Sequence, residues 1–429
     1  MTNFIKMRKT KQVMSLYSST FLWIIIGIAV SVLNTRILGP QHYGDLKFLH
    51  ALFNIGGSIF IFGFFDSGAR LIAQQKNVLY RQELIAASIV LAAIISMLVG
   101  ISIYIFSYFE AKVFNNNLGH IIRLFSPLLF VYPFKLCIEK ILQGDNRIYE
   151  LSAFRLFPSM FYLFFAFIFN YFFSLKLPSA LLIQMMTLGV AIVILIFLLK
   201  PEFRNIKRTL LAYWNENKKY GIHVYIGFLA GVISANLAEI SIAYHLDNTN
   251  VGIFSLALYV TLPLSMIPSI IGTTFYKEFA NRDSIPKSAT IASLVLSILA
   301  LSIFMLLIEK VVLFLYSEQY SAVIPLSYYL AVASILMGFG NFFNRFLGAH
   351  GKGKQMRNGA FATGLLNVIG YIFLVKWFGV KGAAVTKILS ASVYLLMMIF
   401  YCKETIKVLR DVESRKKTHL RHALNPSDS

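Results

Sequence analysis

The chain has 429 residues, 57% of them apolar, 15% aromatic and only 14% charged, with a mean hydropathy of +0.68. Soluble domains carry about 45–50% apolar and about 25% charged residues, so this composition excludes a soluble enzyme, a secreted disulfide scaffold and a disordered chain. Forty Lys and Arg against 19 Asp and Glu give a formal charge of +21, which in a soluble domain would raise nucleic acid as a partner; here the apolar content makes it a polytopic membrane protein and nucleic acid is set aside.

A helix needs roughly 20 residues to cross about 30 Å of hydrocarbon. Apolar runs between charged or Gly/Pro-rich breaks place twelve spans, near 16–36, 47–65, 84–108, 120–142, 153–173, 179–199, 220–244, 252–275, 289–309, 323–346, 359–375 and 381–402. The runs are continuous rather than alternating, which excludes a membrane β-barrel. The first span follows Lys6, Arg8, Lys9 and Lys11, but Asn34-Thr35-Arg36 stands where a small-residue cleavage site would be, so it reads as a retained helix. The aromatic run 157–173 reads mainly as lipid-facing or packing surface. Cys137 and Cys402, on well-separated spans, suggest neither a disulfide framework nor a metal pattern.

The basic residues alternate with the spans. With the N-terminus inside, inward segments hold 30 Lys and Arg and outward loops 8, with Lys135 and Lys387 inside spans. By the positive-inside rule both termini are expected in the cytoplasm of a multi-pass inner-membrane protein. The segment 200–219, with Tyr213 and Trp214, reads as a connector lying on the membrane. It separates an N-terminal six-helix bundle, 1–199, from a C-terminal one, 220–402, which is followed by a basic tail, 403–429.

The halves carry weak internal similarity. LQGDNR at 142–147 pairs with LGAHGK at 347–352, and HYGDLKFL at 42–49 with NVGIFSLA at 250–257. An even number of spans per half relates them by an axis along the membrane normal. The expected fold is all-α, twelve transmembrane helices in two pseudo-symmetric six-helix bundles around a central cleft.

RILGPQHYG at 36–44, DSGARLIA at 66–73, and Glu239 followed by VGIFSLALYVTLP at 251–263 carry a family resemblance. In order along the chain they resemble elements of bacterial polysaccharide flippases of the multidrug/oligosaccharidyl-lipid/polysaccharide exporter superfamily. Phe254 stands where that family usually has Tyr, and Glu239 lacks the basic neighbour its acidic residue often has. The resemblance implies flipping of a polyprenyl-diphosphate-linked oligosaccharide, an O-antigen, capsule or exopolysaccharide unit, to the outer leaflet. Two bundles around a central cleft imply alternating access; a monomer is expected, with a polysaccharide polymerase and chain-length regulator as further partners.

A charged side chain at mid-membrane costs about 2.5–3.5 kcal/mol on insertion scales, so each needs a reason. Lys135 and Glu139, four apart on span four, either neutralise one another or hold the substrate diphosphate. Arg123 reads as a substrate ligand or an outer headgroup anchor, Arg155 and Arg345 as inner-edge anchors or cations facing a cleft. Lys387 either binds anion or snorkels to the headgroups. Glu239, Glu139 and Asp66 are the candidates for ion coupling; Asp66 has Arg70 one turn away as an alternative local partner, and Glu239 could instead be protonated and hydrogen-bonded to a neighbouring helix.

An ion-coupled multidrug exporter of the same superfamily is the alternative function. An integral-membrane polysaccharide polymerase fits less well, since such chemistry typically uses a long outward loop. GKGK at 351–354 lacks the Ser/Thr of a phosphate-binding loop and no His-Glu-x-x-His occurs. No enzyme activity, cofactor or metal is expected.

Overall fold

A computed structural model describes residues 2–424, with side chains described at Leu22 and from Ile24 to Asp411. The side chains of the basic N-terminal residues, and those of the basic tail beyond Asp411, lie outside this range. Among the described residues every regular element is helical, in the order α1 (Thr2–Ile59), α2 (Phe64–Gln74), α3 (Val78–Phe106), α4 (Glu110–Phe114), α5 (Gly119–Phe125), α6 (Val131–Gly144), α7 (Ile148–Phe172), α8 (Leu177–Leu199) and α9 (Ile206–Glu216). There follow α10 (Ile222–His245), α11 (Asn248–Thr274), α12 (Tyr276–Ala280), α13 (Lys287–Tyr316), α14 (Val323–Ala349) and α15 (Gly353–Leu424).

Among the described residues, ten stretches are long and apolar enough to cross a membrane. Three of them are longer than one crossing. Ile206–His245, 40 residues, is so because it runs the connector helix α9 on into α10, and it counts once, whereas the other two divide. Ile24–Ile59 has 36 residues, about 54 Å of helix against about 30 Å of hydrocarbon. It breaks at Gly39, where φ is 72° and ψ 174°, next to Pro40. Only glycine takes that backbone without strain, and proline cannot donate the amide that would continue the ladder. Gly379, at φ 59° and ψ −142°, divides α15 in the same way. The ten stretches therefore make twelve crossings, the number expected from hydropathy.

Local breaks refine the expected boundaries. Span two begins at Pro40 rather than 47 and ends at Ile59; Phe62 (φ 46°) and Gly63 (φ 82°) turn the chain into the separate helix α2. Span four is α5 and α6 joined by a 3₁₀ turn, Ser126–Phe130, opened by Pro127. Span nine extends to Tyr316.

The chain divides into two compact units, Met1–Ser255 and Leu256–Ser429. The first takes in α10 and the first turns of α11. Within it α1 packs against α7 and α10, α2 against α6, and α7 against α8. In the second unit α14 lies along α15, around a core of Phe279, Phe342, Phe346, Leu347, Met398 and Cys402.

The outer faces are apolar, as a bilayer requires. On α7, Phe164, Phe167 and Phe172 are exposed, while Tyr162 and Ala166 turn inward. The Tyr162 hydroxyl donates to Asn34 Oδ1 at 2.5 Å, which ties α7 to α1. Both cysteines are buried free thiols.

Candidate functional site

Within the first unit, polar side chains converge from five crossings at mid-helix depth. Lys47 and His50 lie one turn apart on α1 beyond its Pro40 break, about 10 and 15 Å along the helix from it. The helix that carries them is otherwise packed, with Tyr43, Phe48 and Leu49 fully buried. Lys47 Nζ sits 5.2 Å from the centre of the Tyr43 ring. The His50 imidazole is 2.7 Å from Gln184 Oε1 on α8. Lys47 and, from α6, Lys135 are the cations whose fields reach it.

One carboxylate answers these cations. Glu239, on α10, faces Lys47 electrostatically, and Ser255 Oγ of α11 donates to its Oε1 at 3.4 Å. Two ammonium groups, an imidazole and one carboxylate thus share a region where each charge is expensive. Such a set can hold an anion by supplying donors and charge together, with Glu239 compensating Lys47 when no anion is present.

The remaining predicted residues are placed elsewhere. Glu139 pairs with Arg155 of α7 at 3.3 Å, so the expected neutralisation by Lys135 on its own helix is replaced by a bridge between helices. Lys135 is left exposed. Asp66 takes Lys140 of α6, and Arg70 takes Glu216 of α9 at 2.9 Å, in place of the expected Asp66–Arg70 pair. The reason is packing: α2 lies against α6 and α9, bringing those groups closer than a neighbour one turn away. Arg123 stacks over the Tyr108 ring at 4.6 Å, at the end of the unit remote from the basic loops. Arg345 is exposed on α14 beside Asn344, and Lys387 is half-buried on α15; both belong to the second unit.

The basic connector is docked rather than merely lying on a surface. Tyr213 is fully buried; its hydroxyl donates to the Leu84 carbonyl at 2.9 Å and meets Ser88 Oγ. Asn205 Nδ2 donates to Glu83 at 2.6 Å, and Asn217 Nδ2 to the Phe62 carbonyl at 2.9 Å. A π-helical turn, Asn217–Gly221, joins α9 to α10. Asp145, held by Arg81 at 3.1 Å and Arg147 at 2.7 Å, closes the same end of the unit.

Lys47 and His50 are the functional candidates that sequence reasoning missed. Hydropathy placed the start of span two at 47 and assigned Lys47 to an outward loop. The pointer was the Gly39-Pro40 turn: counting a helix from Pro40 puts Lys47 two turns inside and His50 on the same face.

Residues 10–276 match the profile of a family described as "Polysaccharide biosynthesis protein". No curated protein sequence gives a significant match. Among solved structures, the chain is similar to the inward-facing conformation of a multidrug resistance MATE family transporter of the MOP superfamily, at 16% identity over 91% of this chain and 96% of that one, with a TM-score of 0.67. It is also similar to lipid II flippase MurJ in an inward closed conformation, at 14% identity over 91% and 88%, TM-score 0.70. The eukaryotic MATE transporter AtDTX14 gives 13% identity over 94% and 99%, TM-score 0.56. At these identities the likeness is one of fold, that of MOP-superfamily transporters.

Proposed function

Because the chain belongs to the polysaccharide biosynthesis protein family, we propose that it is a flippase carrying polyprenyl-diphosphate-linked oligosaccharide from the inner to the outer leaflet. The observation that carries this reading is the half-buried cluster of Lys47 and His50, with the exposed Lys135 beside it, against the carboxylate of Glu239. A diphosphate cannot enter hydrocarbon unassisted, and this cluster offers it fixed positive charge at mid-depth while the polyprenyl tail stays in lipid. The excess of cations favours an anionic cargo over the cationic drugs that a multidrug exporter would carry. Arg155, Arg123, Arg345 and Lys387 are secondary anion ligands in this reading, and Glu239, Glu139 and Asp66 are the coupling candidates.

The basic connector and the loops around Arg81, Arg147 and Lys140 lie in the cytoplasm, by the positive-inside rule. They attract anionic lipid and substrate headgroups there. The protein acts as a monomer in the inner membrane, exposing the cargo alternately to the two sides, next to the polymerase and chain-length regulator that use the product.

The test is headgroup translocation in proteoliposomes loaded with lipid-linked oligosaccharide. Lys47→Ala and Lys135→Ala are expected to lower the rate by about tenfold or more, roughly the 1.4 kcal/mol of one charged contact. Unchanged rates in both would overturn the cationic-cluster mechanism. Efflux of cationic drugs, with no lipid translocation, would establish the exporter reading instead.

A further inference from the structure

The end of the first unit remote from the basic loops holds a cavity of about 830 Å³, within the range of about 300–1,000 Å³ common for ligand sites. Its wall comes from four segments: α1 around its Pro40 break, the α4–α5 loop, the α7–α8 loop and the α10–α11 loop. It is distinct from the Lys47–Glu239 cluster, none of whose members lines it.

The wall is more apolar than polar, with Leu38, Phe114, Leu175 and Leu246 among its residues, and its polar groups are mostly neutral. Amides come from Gln41, Asn116, Asn117 and Asn248, and a hydroxyl from Thr249. The acids are already engaged. Asp45 accepts from Asn248 Nδ2 at 2.8 Å with one oxygen and meets His42 Nδ1 at 3.1 Å with the other. Asp247 accepts from the Asn250 amide at 2.8 Å and its Nδ2 at 2.9 Å. That leaves little for a metal cation, and Lys176, exposed at the rim, is a poor basis for an anion site.

Two buried atoms in this wall have no hydrogen-bond partner among the described residues: the acceptor Asn248 Oδ1 and the donor Asn116 Nδ2. Buried polar atoms are nearly always paired, because leaving one unpaired costs about 1–3 kcal/mol. A spare acceptor and a spare donor carried by two residues of one cavity wall suit a group that both donates and accepts, which is a hydroxyl. Asn248 cannot turn its amide to relieve itself without giving up Asp45.

We propose that this cavity is a saccharide subsite, taking neutral sugar residues of the oligosaccharide as it emerges on the outer side. The inference rests on the flippase reading for the source of its ligand. The cavity would retain the glycan through hydroxyl contacts once the diphosphate leaves the cationic cluster, leaving charge recognition and sugar recognition to separate places in the same unit.

The experiment uses the full chain in nanodiscs and saturation-transfer NMR with a panel of neutral di- and trisaccharides. Binding of at least one saccharide is expected, weakened about tenfold by Asn117→Trp, an exposed position at the mouth, and by Asn116→Ala. Inorganic phosphate should leave the saccharide signal unchanged. Melting curves confirm that each variant is folded; Asn117→Trp, altering only an exposed side chain, keeps the test usable if Asn116→Ala does not fold. Absence of saccharide binding, or binding indifferent to Asn117→Trp, overturns the subsite. Lipid translocation separates the two proposals. If wild type flips lipid and binds no saccharide, the subsite alone falls; if it binds saccharide at this cavity and flips nothing, the flippase reading alone falls.

Discussion

Replacing Gly44 by alanine adds a single methyl at a place with no room for it. A Cβ there would fall on the Asn248 carbonyl, with the carbonyl carbon at 2.5 Å and the Gly252 amide nitrogen at 3.1 Å. Comfortable contacts of this kind begin near about 3.5 Å, so α1 and the start of α11 must separate by at least about 1 Å, and further to clear the carbonyl oxygen, which lies nearer still. Both obstacles are backbone and cannot swing aside. That separation stretches the Asn248–Asp45 hydrogen bond from 2.8 Å beyond useful range. Overpacking costs about 1–3 kcal/mol, and loss of a bond to a buried carboxylate about 1.5–3 kcal/mol. A combined loss of about 2.5–6 kcal/mol lowers the melting temperature by roughly 5–24 °C at about 2–4 °C per kcal/mol. Gly231→Ala is the matched control, since a Cβ at that position on α10 meets nothing within 4 Å. The assay is thermal unfolding of both purified variants in detergent. Equal melting temperatures for Gly44→Ala and Gly231→Ala would refute the argument that this helix contact requires glycine.

Three further outcomes are expected. Glu110 is fully buried in α4, outside the membrane-crossing stretches, and desolvation raises its pKa to about 7 although the Leu118 and Gly119 amides face it and oppose the shift. The folded state therefore holds a proton that the unfolded chain has released, so stability falls as pH rises from about 4.5 to about 7 and levels off above. Glu110→Gln should raise the melting temperature at pH 8 and flatten that slope; an unaltered pH profile would show that another group sets it. Tyr213→Phe removes the bonds to Leu84 and Ser88 and should destabilise by about 1–2 kcal/mol, read as a lower melting temperature with faster proteolysis of the connector. Asp66→Lys and Lys140→Asp should each lower stability, and the exchanged double variant should recover most of it; additive losses would mean that the two groups do not interact.

Crossing number was legible in the chain because hydropathy is local: each apolar run records its own need for lipid, wherever it ends up in the fold. The break at Gly39-Pro40 was written in the sequence, since that pair restricts its own backbone, but the hydropathy boundaries at 36 and 47 did not place it. Side-chain pairing was not. Glu139 has Lys135 one turn away in sequence, yet bonds to Arg155; Arg70 has Asp66 one turn away, yet bonds to Glu216. One-turn neighbours on an exposed helix gain only about 0.2–0.5 kcal/mol, too little to resist a partner that packing brings nearer. Lys47 was overlooked for a related reason. A charge near the end of an apolar run looks like a loop residue until the position of the turn before it is known.

The order of the residues by itself determined an all-helical membrane protein of twelve crossings, the sign of the charge on each connecting segment, and membership of a family recognisable from three short elements. Only the tertiary structure decided which charges meet. Lys47 and His50, Lys135 and Glu239 lie on three different helices, with Gln184 on a fourth, and no local pattern encodes their approach. It follows from how α1, α6, α8 and α10 pack, and that packing is set by the small and apolar side chains between them rather than by the charges themselves.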